Sequence, residues 1–316
     1  MSTKIFFATD LHGSEKCFLK FVNAAKFYKA NTLIMGGDIT GKIVIPIVKG
    51  PKGKFHATFL GDKRTANNDK ELQDLERAIR FAGYYPYLTD PDGMKELQAD
   101  ESKVQSIFKE LMLDTVKKWI QVAEERLKET GTKVYVTGGN DDVAEIENII
   151  GGSNYVIDPE DKVVQINGKY EMISTGWSNP TPWKTARECS EEQLWTKIDM
   201  MTSQVKDMNN CIFNLHVPPI NSGIDTCPKL DANLKPVIAG GEIVMTGGGS
   251  TSVRKAIETY QPLLSLHGHI HESKGFLKIG RTLCLNPGSE YSEGILRGAL
   301  VDLDDGTVKN FLLTQG

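Results

Sequence analysis

The sequence predicts an α/β fold, turning α+β toward its C-terminus, in which parallel strands carry chemistry at their carboxyl ends. Three observations predict it. Short apolar runs recur, each followed at once by acidic, amide or imidazole residues: Asp10 and His12 in FFATDLHG, Asp38 in LIMGGDIT, Asn140 in VYVTGGND, His216 in IFNLHVPP, and His269 with His271 in SLHGHIH. A helical period separates the first two runs, which makes a βαβ unit with parallel, buried strands. Paired short runs divided by turn residues fill the last part of the chain, as hairpins do.

The elements follow in order. KIFFAT reads as a buried strand. Ser14 then caps a helix whose apolar face is Phe18, Phe21, Val22 and Ala25, at i, i+3, i+4 and i+7. Thr32 to Met35 is the second strand, so Asp10 and Asp38 fall at neighbouring strand ends, the edge where open α/β sheets bind ligands. Residues from about 42 to 131 read as an insertion into one domain spanning 1–316. It begins with a two-stranded excursion, Lys42 to Leu60, turning at Lys49 to Gly53. A charged helix, Asp69 to Ala82, and a long one, about Asp100 to Leu127, follow. The long helix carries an apolar stripe from Val104 to Leu127, which packs on a core; a cap over the active edge and an oligomer contact are the alternatives. Lys133 to Thr137, Cys211 to Leu215 and Leu263 to His267 repeat the strand-then-motif pattern, and 162–175 and 275–313 read as hairpins.

Bulk properties exclude several classes. A net charge of −4 disfavours nonspecific binding to nucleic acid or an anionic membrane, which needs a basic surface. The five cysteines form no CxxC, which fits reduced thiols in a cytoplasm and not a disulfide frame or zinc ribbon. No apolar stretch reaches the roughly 18 residues of a membrane span. A cytoplasmic protein acting on a small molecule is the expectation.

Each motif has a plain alternative. Asp10 could cap a helix, Asp38 could sit in a glycine turn, and Asn140 could open a helix. His216 before two prolines could be a satisfied core histidine, and the same reading is favoured for His267. HGHIH is the sharpest signal, because two imidazoles one residue apart in a glycine loop can address different cations. Five of the six histidines lie in these segments, and all the motifs come in order behind apolar runs. Carboxylates mixed with imidazoles suit divalent metals such as Mn, Fe, Ni or Zn.

The set D-x-H, G-D, G-N, H, G-H-x-H resembles the calcineurin-like metallophosphoesterase superfamily, over Asp10 to about Ser289. The resemblance implies a β-sandwich of two mixed sheets flanked by helices. It implies two divalent metal ions, most readily Mn. One would be held by Asp10, His12, Asp38 and His271, the other by Asp38, Asn140, His216 and His269, with Asp38 shared. A water activated between two cations about 3.5–4 Å apart would attack a phosphate ester in line. Catalytic roles then fall to Asp10, Asp38, Asn140 and Asp141.

The chain departs from the family pattern at one place. Asp141 stands where a histidine usually assists the leaving oxygen. An ionised Asp would repel a leaving alkoxide, so a phosphodiesterase is expected over a phosphomonoesterase. Asp141 could also cap a helix over Val143 to Ile150. Substrate contacts are expected from Asn140 and Asp141, and from the loop bearing Trp177, Trp183, Lys184 and Arg187. Gly247 to Thr251 precedes a helix and reads as a glycine loop with a cap, lacking the lysine of a phosphate loop. The rival readings are a non-catalytic metal-binding scaffold on the same fold, a nucleotide or nucleic-acid hydrolase, and a TIM-barrel amidohydrolase. The filled ligand positions, the acidic balance and the hairpin-rich C-terminus weigh against these in turn.

Overall fold

A computed structural model describes residues 2–316. The chain opens with β1 (Thr3–Ala8), α1 (Glu15–Tyr28) and β2 (Thr32–Gly36). Next come β3 (Val44–Lys49), β4 (Phe55–Phe59), β5 (Asp62–Ala66), α2 (Asp69–Phe81), β6 (Tyr85–Thr89), α3 (Pro91–Ala99) and α4 (Glu101–Leu127). The middle holds β7 (Lys133–Thr137), α5 (Glu145–Gly151), β8 (Val163–Gln165), β9 (Glu171–Thr175), α6 (Glu191–Thr202) and β10 (Cys211–Leu215). Four short strands follow, β11 (Thr226–Pro228), β12 (Ile238–Ala239), β13 (Glu242–Ile243) and β14 (Met245–Gly247). The chain ends with α7 (Thr251–Tyr260), β15 (Leu264–Leu266), β16 (Gly275–Ile279), β17 (Thr282–Asn286), β18 (Arg297–Asp304) and β19 (Thr307–Gln315).

Two mixed sheets face one another. One has the order β19-β18-β1-β2-β7 and the other β16-β17-β15-β10-β9-β8. β1, β2 and β7 run parallel, and β18 and β19 add antiparallel. β9, β10, β15 and β17 run parallel, with β8 and β16 antiparallel at the edges.

Alternation along each strand divides the core into layers, since successive side chains point to opposite faces. Ile5, Phe7 and Ile34 meet Met172, Ile212, Leu264 and Leu285 between the sheets. Phe6, Ala8, Leu33 and Met35 face outward onto α1, α4 and α5. Ile173, Phe213 and Leu215 face outward onto α6 and α7. Helices therefore cover both outer faces, and the parallel strands are buried on both sides.

The excursion after β2 is larger than the two strands the sequence suggests. β3 to β6 form a sheet of four, in the order β5-β4-β3-β6. β5 escapes sequence detection because DKRTA is exposed apart from Ala66 and shows no apolar alternation. Asn68 caps α2, and Asp100 caps α4 through the amides of Ser102 and Lys103. The apolar stripe of α4 packs inward: Met112, Val116, Trp119, Ala123 and Leu127 are buried, and Trp119 stacks on Phe18 of α1 at 4.3 Å. No described helix is long and apolar enough to cross a membrane.

Candidate metal centre

Every parallel strand that carries a motif ends at one edge of the sandwich. Asp10 and His12 follow β1, Asp38 follows β2 and Asn140 follows β7; His216 follows β10, and His269 and His271 follow β15. Asp10, His12, Asp38, Asn140 and His216 are buried, and His269 and His271 are half-buried. Side-chain donors of Asp10, His12, Asp38 and His271 lie within 4.8 Å of one another, as do those of Asp38, His216 and His269. Asp38 belongs to both groups. Asn140 joins the second: its Oδ1 is 3.1 Å from His216 Nε2 and 2.7 Å from His269 Nδ1.

The backbone is bent to present these groups. Asp10, His12, Asp38 and His269 all have positive φ, between 41° and 67°. Such conformations are unfavourable for residues with a Cβ and gather at functional sites. Amides of one motif loop bind carbonyls of the next, Asp10 to Gly37 and His12 to Asp38, each at 2.9 Å. Gly139 is required by close approach, since a Cβ there would lie 2.1 Å from Asp38 Oδ1.

Supporting residues fix the orientation of several of these side chains. His216 Nδ1 donates to the Gly36 carbonyl at 2.9 Å, which turns Nε2 toward the other donors of the group. Asn140 Nδ2 donates to Thr185 Oγ1 at 2.8 Å, and Thr185 in turn donates to Glu188 at 2.7 Å, so the amide oxygen is turned inward. Asp142 is fully buried and accepts from the amides of Ile39, Thr40 and Gly139 at 2.8–3.0 Å, tying the Asp38 loop to the Asn140 loop. His267 Nδ1 donates to the carbonyls of Leu215 and Val217, on either side of His216, so this core histidine also fixes the His216 backbone. Ser289 donates to the Asp10 carbonyl at 2.6 Å.

The residues present fit cations. Burial alone would raise the carboxyl pKa values. His271 and His216 outweigh that effect at Asp10, which lies at about 2. At Asp38 the same histidine, His216, helps drive the pKa well below the usual range. Burial works against charge on His216, yet Asp38 and Asp10 raise it to about 10. Burial holds His12 near 3 and His269 near 4, both neutral, as ligands must be. His12 Nε2 and His271 Nε2 face each other at 3.1 Å, and His12 Nδ1 is buried without a hydrogen-bond partner. Two ionised buried carboxylates and converging ring nitrogens make an environment that positive charge stabilises.

One expected contact and one expected cap are corrected, and the other loop residues are placed. Arg187 cannot meet substrate: its side chain is 2% exposed, it donates to the Asp142 carbonyl at 3.1 Å, and it pairs with Glu147 at 2.8 Å. Trp177 is half-buried in the core beneath α6, with Lys197 over its ring at 4.8 Å. Lys184 is exposed on the loop that bears Thr185. Asp141 caps no helix, because α5 starts at Glu145 after Ala144. Its carboxylate instead pairs with Lys42 and lies 4.0 Å from His12 Nδ1, while its amide donates to Asp38 Oδ1 at 2.9 Å. Burial and Asp38 raise the Asp141 pKa, with Lys42 opposing them. The glycine loop at 247–251 is the capped loop expected: Ser250 accepts from the amides of Ser252 and Val253, and Glu191 accepts from those of Thr251 and Ser252 at 2.9 Å.

The motifs left Lys42, Asp142, Glu160, Thr185 and Tyr291 unassigned. Tyr291 packs its ring 4.7 Å from that of His12 and 6.0 Å from that of His271. Asp142 had one signal, its place directly after Asn140 and Asp141. Thr185 and Glu160 had none, since their partners lie far along the chain.

A sandwich of two mixed sheets flanked by helices, with the ordered motifs gathered at one strand edge, is the architecture the sequence leads one to expect. No family model matches the chain. It is 30% identical over 176 residues, 55% of its own length and 72% of the other's, to the uncharacterized protein MJ1162 of Methanocaldococcus jannaschii. That coverage makes the two members of one family. The fold is shared with the crystal structure of TT1561 of Thermus thermophilus, at TM-score 0.55 and 14% identity, over 100% of this chain and 99% of that one. A further solved structure superposes at TM-score 0.57 with 16% identity, over the same shares.

Proposed function

We propose that the protein is a phosphodiester hydrolase working with two divalent cations, one held by Asp10, His12, Asp38 and His271 and the other by Asp38, Asn140, His216 and His269. The observation that carries this reading is the pair of donor groups with Asp38 common to both. Bound there, the cations would supply Lewis acidity, activating water and offsetting charge on the phosphate oxygens.

The chain's own residues do the rest. Asp38 supplies a carboxylate, which can serve two cations where an amide cannot. Asn140, held by Thr185, presents a neutral oxygen and adds no negative charge. Asp10 receives the His269 amide on both oxygens at 3.1 Å, which locks the HGHIH loop against the β1 loop. Asp141 lies at the edge of the centre, with a side chain 18% accessible. Its charge disfavours the dianion of a monoester more than the monoanion of a diester. Lys42 offsets part of that charge, so the leaving-group penalty expected from the sequence is smaller than a bare Asp141 would impose.

The test is hydrolysis of a nitrophenyl phosphodiester and monoester by metal-stripped protein re-loaded with Mn²⁺, with Asp38→Asn beside it. Metal-dependent cleavage of the diester in preference, lost in the variant, supports the reading. Two bound metals with neither ester cleaved would point to a metal-holding scaffold instead.

A further inference from the structure

We propose that Lys42 is a catalytic residue of this centre: its ammonium meets the oxygen that leaves phosphorus, and Asp141 holds it in place. The inference rests on the hydrolase reading above and adds the group that acts on the leaving side.

Placement carries the argument. The Lys42 ammonium is ion-paired to the Asp141 carboxylate. Asp141 is itself tied to the site, with its amide 2.9 Å from Asp38 Oδ1 and its carboxylate 4.0 Å from His12 Nδ1. Lys42 therefore sits beside the first group of donors through a single intervening side chain. Among the described residues it is the one lysine or arginine paired with a motif carboxylate of the centre.

The stem of Lys42 leaves a fixed point. The preceding amide, Gly41 N–H, donates to the Tyr85 hydroxyl at 2.7 Å. Gly41 also packs so closely on Gly83 that a Cβ would lie 2.2 Å from its carbonyl oxygen. Beyond that point the side chain is 50% exposed, whereas Asp10, His12 and Asp38 are almost fully buried. Lys42 is thus held at its base by Gly41 and at its tip by Asp141, with half of its side chain open to solvent. Tyr291 packs against His12 and His271 of the same group.

The chemistry needs a cation there. In diester hydrolysis, the water oxygen forms the new bond to phosphorus. The P–O bond to the leaving group breaks, and its electron pair stays on the leaving oxygen. That oxygen ends as an alcohol, carrying the proton that water gives up. Charge therefore builds on the leaving oxygen before it is protonated, and a nearby fixed cation lowers the barrier most when the leaving group is poor. An ammonium has three donors, so Lys42 can keep Asp141 and bind this oxygen together. The aspartate at 141 thereby positions the cation that does an imidazole's work.

The experiment compares wild type, Lys42→Ala and Lys42→Arg, all loaded with metal, on phosphodiesters whose leaving groups run from nitrophenyl through phenyl to alkyl. Metal content per chain is measured for each. Lys42→Ala should lose roughly threefold on the nitrophenyl ester and about a hundredfold on the phenyl ester, the range of a single preorganised charge. Lys42→Arg should recover most of the loss. Calorimetric affinity for inorganic phosphate should fall about tenfold in Lys42→Ala with metal content unchanged. An equal loss across all leaving groups, or an unchanged phosphate affinity, overturns the proposal. A wild-type protein that holds two metals and cleaves no ester removes the hydrolase reading instead; phosphate affinity then decides on Lys42 by itself.

Discussion

The buried centre and its open rim are fixed by different means. The residues of the centre are held by their own strand ends and, in several cases, by a partner: His216 by the Gly36 carbonyl, Asn140 by Thr185, and the Asp38 and Asn140 loops by Asp142. The rim is held by single contacts on half-exposed side chains, such as Lys42 on Asp141. A centre that must keep two carboxylates ionised out of water tolerates no slack, because an unpaired buried charge is costly. The rim meets solvent and substrate, and it can vary at little cost to the fold. Damage to the centre should therefore change metal binding and catalysis together, while damage to the rim should change catalysis alone.

Removing the shared carboxylate is the harshest test. Asp38→Asn should hold no more than one metal per chain and lose about a thousandfold or more in diester turnover, the scale of a lost preorganised charge. Metal analysis beside kinetics checks it. A variant that keeps both metals would break the claim that Asp38 serves both sites. Asp142→Ala comes next, since it strands three buried amides, at Ile39, Thr40 and Gly139. At roughly 1–3 kcal/mol for each unsatisfied group, the loss should exceed about 3 kcal/mol and lower the melting temperature by roughly 10 °C. An unchanged melting curve would mean that the two loops are held by something other than this carboxylate.

The same contrast explains how far the sequence could be read. Asp10, His12, Asp38, Asn140, His216, His269 and His271 stand out because each follows an apolar run whose strand is buried on both faces. The two-sheet sandwich followed from those runs together with the family resemblance. The supporting residues gain their roles only when distant segments meet. Asp142 reaches Thr40 across 102 positions and Thr185 reaches Asn140 across 45. β5 was hidden for another reason, since an exposed, charged edge strand has no apolar alternation to detect. The Arg187 expectation failed because a basic residue in a loop reads the same whether it faces solvent or, as here, clamps the Asp142 carbonyl.

Thr185→Val probes the join between centre and rim. It removes the acceptor for Asn140 Nδ2 while keeping the side chain's shape. Affinity for the second metal should fall about tenfold, as for other residues that orient a ligand, with little change in melting temperature. Calorimetric metal titration measures the first, and a thermal melt the second. If affinity for both metals fell equally, the two sites would not be separable in the way the geometry suggests.

The smallest expected effect concerns Glu160, which lies behind the centre and away from the rim. It is buried, and it accepts from Thr175 Oγ1 at 2.9 Å and from the Gly176 amide at 3.0 Å. Gly176 packs on the Asn140 loop so tightly that a Cβ would lie 1.8 Å from the Gly138 carbonyl oxygen. Burial, opposed by Arg187, raises the Glu160 pKa from 4.5 to about 8. Between those values the folded chain holds a proton that the unfolded chain has released. The stabilising contribution is therefore full below about pH 4.5, declines above it, and is exhausted as pH rises through about 8. Glu160→Gln stays neutral throughout, so the melting temperature of metal-loaded wild type should drop by several degrees relative to the variant between about pH 5 and 8. Parallel curves would show that Glu160 is ionised in the folded state. A divergence confined to this range would show that the wall behind Asn140 depends on a proton, whereas the ligands in front of it depend on charge.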